Sequence, residues 1–114
     1  MEERQRPIER IEQLVQWLIE HRLIRSTTAF ERVCGLSVKY MSNSHFSPKG
    51  GITVDILARI YDTFPIFSLD WAVTGKGQMF KKEPSDAELW QLSQRIIDRL
   101  AKSQNVNQTA ANNK

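Results

Sequence analysis

The stretch that most constrains this chain runs from Ser26 to Phe46, where two short helix-forming runs stand about three residues apart. Ser26 or Thr27 can cap the first run, Thr28-Ala29-Phe30-Glu31-Arg32-Val33, through a hydroxyl oxygen. Gly35 then supplies a helix end or tight turn at little steric cost. Ser37 can cap the second run, from Val38 to about Phe46. Two short helices joined by Gly35-Leu36-Ser37 have the helix-turn-helix geometry, in which the second helix projects outward.

The remaining pattern is also helical. Ile8, Ile11, Val15, Leu18 and Ile19 recur at helical spacing, with Glu9, Arg10, Glu12, Gln13 and Gln16 on the other side. Pro7 suits a first turn, so a helix is predicted over about 7–21. Pro48 and Gly50-Gly51 break the chain. Thr53 can cap a fourth helix, with Val54, Leu57, Ala58, Ile60 and Tyr61 as its apolar face. Ser68 or Asp70 opens a short turn through Trp71 and Val73, closed by Gly75, and Met79 and Phe80 tuck back onto the core. Ser85-Asp86-Ala87-Glu88 reads as a capping box, starting an amphipathic helix with Leu89, Trp90, Leu92, Ile96, Ile97 and Leu100. Glycine (5) and proline (4) are too scarce for a turn-rich β fold, and 114 residues suit one core. The fold class is therefore all-α with five to six helices. Its expected parts are a helix-turn-helix unit over 1–80, a C-terminal helix over 81–104 and a disordered polar tail over 105–114.

A single cysteine, Cys34, excludes an internal disulfide. The charged N-terminus leads into no apolar secretory segment, and no window has the ~18 apolar residues of a membrane span. A cytoplasmic protein is expected. The net charge of +3 is small but unevenly placed: Arg22, Arg25, Arg32, Lys39 and Lys49 face only Glu31 between residues 22 and 51. A local basic patch of this kind attracts polyanions by counterion release.

Phe30 to Asn43 (FERVCGLSVKYMSN) resembles the core of a phage-repressor helix-turn-helix, Cro-like and XRE-type. Phe64-Pro65 followed by Leu69 to Phe80 (LDWAVTGKGQMF) is similar to the ending of one bacterial branch of that family. The resemblance covers roughly residues 8–80 and implies a lambda-repressor-like domain binding double-stranded DNA. Phe30, Cys34, Leu36 and Met41 fall where the motif buries side chains. Glu31 departs from the pattern, standing where the wider family carries a small residue; a carboxylate there must be hydrogen-bonded or reach solvent. Ser44 is likewise more polar than the residue often found at its position.

In such proteins the second helix lies in the major groove. Ser37, Val38, Lys39, Ser42 and Asn43 are the expected base-contacting residues: lysine can donate to guanine, asparagine pairs with adenine, and valine meets a thymine methyl. Arg25, Thr27, Thr28, Tyr40, His45 and Lys49 are expected at phosphates. Leu89, Trp90, Ile96, Ile97 and Leu100 form either a homodimer contact, which paired half-sites require, or a stripe docked on the first helix. The implied function is transcriptional regulation, as a repressor dimer on an operator. The alternative is an antitoxin-like interaction module that keeps the fold without reading DNA.

Other features carry less. Thr74-Gly75-Lys76-Gly77 lacks the spacing of a phosphate loop, and His21 and His45 have no paired ligands for a metal. Asp55, Asp62 and Asp70 form no catalytic constellation, and Trp17, Trp71 and Trp90 read as core anchors. No enzyme activity, cofactor or small-molecule ligand is expected.

Overall fold

Thr27, Val54, Leu69 and Asp86 each follow a hydroxyl-bearing residue, and in the computed structural model each of them opens a helix. The structure describes residues 5–47 and 51–112, with side chains through residue 102. Its six helices are α1 (Pro7–Glu20), α2 (Thr27–Cys34), α3 (Tyr40–Phe46), α4 (Val54–Thr63), α5 (Leu69–Thr74) and α6 (Asp86–Asn112). The hydroxyls of Ser26, Thr53 and Ser68 accept from the backbone N–H three residues on, at 3.2–3.3 Å. Such local caps satisfy amides that have no partner inside the helix. The Ser85–Glu88 box is closed in both directions, at 2.9 and 3.2 Å, and these bonds hold the Glu88 carboxyl below its usual range.

Among the described residues no strand forms. An isolated antiparallel bridge joins Phe67 to Phe80, and the Ser68 N–H donates to the Met79 carbonyl at 2.8 Å. That pairing folds the segment after α5 back, leaving Met79 and Phe80 half-buried against the core. The protein is all-α. No helix among the described residues is long and apolar enough to cross a membrane.

The core gathers the α1 stripe Ile8, Ile11, Leu14 and Leu18, all fully buried. Phe30 of α2 stacks on Phe64 beyond α4, with centroids 5.6 Å apart and planes 7° from parallel. Leu92 and Ile96 bring α6 into the same core, where it packs chiefly on α2 rather than on α1. Cys34 is buried as expected, and desolvation pushes its thiol up to about 12.

Several expectations need correcting. Val54 and Ala58 of α4 lie on the solvent side rather than in its buried face. Trp90 is 65% exposed and anchors no core, in contrast to buried Trp71. The helical backbone of α6 runs to Asn112, past the 81–104 bounds expected for the C-terminal helix.

Arg10 is the largest correction. Assigned to the outer face of α1, it is 6% exposed, and its guanidinium donates to the carbonyls of Ala72 (3.0 Å), Val73 (2.9 Å) and Gln5 (2.7 Å). It thereby closes the C-terminus of α5, where unpaired carbonyls and the helix dipole favour a cation. The arrangement recurs. Arg6 donates to the His45 carbonyl in the last turn of α3 (2.9 Å), and Arg95 to those of Asp62 and Thr63 at the end of α4 (3.0 and 3.2 Å). At the end of α2, Arg59 reaches Gly35 (3.0 Å) and Arg99 reaches Val33 (3.3 Å).

Gly35 and Gly75 both take left-handed backbone after a helix, at φ +75° and +80°, as their positions imply. A Cβ at Gly35 would meet open space, whereas one at Gly75 would lie 3.0 Å from Nη1 of Arg10. Gly35→Ala is therefore expected to cost only the left-handed penalty, about 1–2 kcal/mol. Gly75→Ala is expected to cost more, because the Arg10 clasp must also shift. Urea midpoints of the two variants check the order; equal losses would contradict it.

Candidate nucleic-acid interface

The segment after Gly35 is shorter in helix and longer in turn than its sequence suggests. Helix α3 begins at Tyr40, not Val38, so Ser37, Val38 and Lys39 lie in the turn. Ser37 does not cap it by its side chain; its carbonyl accepts from Tyr40 N–H at 3.1 Å. The N-cap is Lys39, in left-handed backbone at φ +69°, with no side-chain cap of its own.

Glu31 supplies what the local sequence lacks. Its side chain comes from α2, is 2% exposed, and accepts from Lys39 N–H (Oε1, 3.0 Å) and Met41 N–H (Oε2, 2.8 Å). The requirement that a carboxylate at this position be hydrogen-bonded is thus met by the start of α3 itself. Left-handed backbone costs a non-glycine residue roughly 1–2 kcal/mol. Hydrogen bonds to a charged group return roughly 1.5–3 kcal/mol each, so the bonds outweigh the strain. Ser44, the other polar departure, donates to the Gly51 carbonyl at 3.0 Å.

Thr27, Thr28, Lys39, Ser42 and His45 line one cleft of about 480 Å³ between α1, the start of α2 and α3, with exposed Phe46 at its rim. Thr28 also borders a second, smaller cleft with Val38, which is 67% exposed. Ser42 and Asn43 are exposed on α3. His45 Nδ1 lies 3.1 Å from Glu12 of α1, so this ring braces α3 and is not a free flanking group. Tyr40 is half-buried and turned toward Ser44 and the Thr53 backbone, and burial pushes its phenol up. Arg25 is exposed at the turn before α2; Lys49 lies outside the described residues. The side chains of Arg25, Arg32 and Lys39 enter no ion pair among the described residues.

On α6, Ile96 is 3% exposed and Leu89 and Leu100 are half-buried against the chain's own core. Of the five expected dimer residues these three are engaged internally, while Trp90 and Ile97 (58% exposed) stand free. Sequence reasoning missed Arg10 and the reach of Glu31; a carboxylate amid the buried positions of α2 was the signal for the second.

No protein-family model, curated protein or solved structure matches this chain.

Proposed function

We propose that this protein binds double-stranded DNA sequence-specifically and regulates transcription, seating α3 in the major groove. The observation that carries the reading is the common cleft of Thr27, Thr28, Lys39 and Ser42 beside the exposed Asn43. The two carboxylates lining the same cleft are engaged elsewhere, Glu12 by the His45 ring and Glu31 by backbone amides; the hydroxyls and the Lys39 ammonium suit a phosphate backbone, so Lys39, Thr27 and Thr28 hold the duplex. Ser42 and Asn43, one turn further along, suit base edges, and Ser37 and Val38 reach the groove from the turn. Binding as a repressor dimer would use Trp90 and Ile97, the unengaged part of the α6 stripe.

The test is selection from a random duplex pool at near-physiological salt, followed by titration of the enriched sequence. Asn43→Ala is expected to lower discrimination at one base pair by about 1–3 kcal/mol. Lys39→Ala should weaken all duplexes alike and reduce the log–log salt slope by about 0.9. A pool without enrichment, or binding indifferent to salt, sinks the proposal. Exposed Val38 and Phe46 (67% and 80%) favour a second reading, an interaction module whose partner is a protein; such a module would bind no duplex at moderate salt.

A further inference from the structure

We propose that Glu31 is the positioning residue of the α3 face: its carboxylate fixes the angle at which α3 leaves the turn, and so how selectively that face reads a duplex. The inference rests on the DNA-binding reading above and deepens it.

Helix α3 has seven residues, too few to hold a helical conformation or a direction by itself. Its N-cap offers no side-chain oxygen, so its first amides depend on a group from elsewhere. Glu31 is that group, anchored in α2 and buried. Each of its two oxygens takes a different amide, one before and one inside α3. A two-point attachment restrains rotation as well as distance, which one capping bond cannot do. A carboxylate at a helix N-terminus is also favoured by the dipole. Because the clamp grips Lys39 N–H, it sustains the left-handed backbone that sets this lysine beside Thr27, Thr28 and Ser42 in the cleft. At the other end of α3, Arg6 holds the His45 carbonyl and Glu12 meets the His45 ring. The helix is thus held at both ends by other elements, and Glu31 governs the end nearer the α2 threonines.

The decisive variant is Glu31→Gln, which keeps the volume but turns one acceptor into an NH₂ facing an N–H. The readout is the affinity ratio between the selected duplex and a scrambled one. The ratio is expected to fall at least tenfold while low-salt binding to the scrambled duplex changes less than twofold; a folded E31Q with the wild-type ratio overturns the proposal. Should E31Q fail to fold, Glu31→Asp, whose shorter stem reaches one amide only, supplies the same measurement under the same criterion. Should the wild type select no duplex, the DNA reading fails separately. The clamp is then judged by the amide resonances of Phe46 and Ser47, at the far end of α3 from the amides that Glu31 bonds. Their displacement in E31Q supports a fixed helix angle; changes confined to Lys39 and Met41 overturn it.

Discussion

Replacing Arg10 with alanine is expected to lower the free energy of unfolding by about 3–5 kcal/mol. The guanidinium donates to three carbonyls, two of them at the end of α5, more than sixty residues away in sequence. Its removal strands the buried Ala72 carbonyl and opens a void against Ala72, which is fully buried, while the part-buried Val73 and Gln5 carbonyls lose a charged donor. Arg10→Lys is expected to recover less than half of the loss, since an ammonium cannot present the planar fork that spans two successive carbonyls. Urea unfolding followed by tryptophan fluorescence measures both, with Trp71 on α5 as a local reporter. A loss under about 1 kcal/mol for the alanine variant would show that the clasp contributes little.

The second large effect separates two adjacent isoleucines. Ile96→Asp is expected to cost more than about 3 kcal/mol, because it buries an unpaired carboxylate between α6 and α2. In a domain with roughly 5–15 kcal/mol in total, that detaches α6 or unfolds the chain. Ile97→Asp, on the exposed side, is expected to leave stability within about 0.5 kcal/mol. On the dimer proposal it should halve the mass seen by light scattering at tens of micromolar. An Ile97→Asp chain that keeps its mass, or a wild type that is monomeric with and without duplex, removes the dimer from the functional reading.

The helix starts were legible in the sequence because their cause is local. Ser26, Thr53, Ser68 and Ser85 each bond an amide three residues on, and Gly35 and Gly75 mark ends by their own backbone freedom. The start of α3 was misplaced for the opposite reason: its cap comes from Glu31, eight residues before Lys39 and across a turn. Arg10 shares its apparent outer face with Glu9 and Gln13, and nothing near it in the chain announces α5. The α6 stripe was ambiguous because its apolar residues span too wide an arc. Trp90 and Ile97 sit roughly 100–160° round the helix from Leu92 and Ile96, and only packing decides which side docks. For the candidate interface, residue types predicted the exposed Ser42 and Asn43 well. They could not foresee that the His45 ring is engaged by Glu12 of α1.

The arginine clasps have a consequence for how this chain comes off a ribosome. Each joins partners distant in the chain: Arg6 to residue 45, Arg10 to residue 72, Arg99 to residue 33. The end of α4, and one of the two clasps at the end of α2, wait for α6, which follows both in the chain. The ends of α3 and α5, by contrast, are held by Arg6 and Arg10 of the first helical segment, which need no part of α6. The two ends that α6 closes are therefore the ones a chain still lacking that helix would leave to fray.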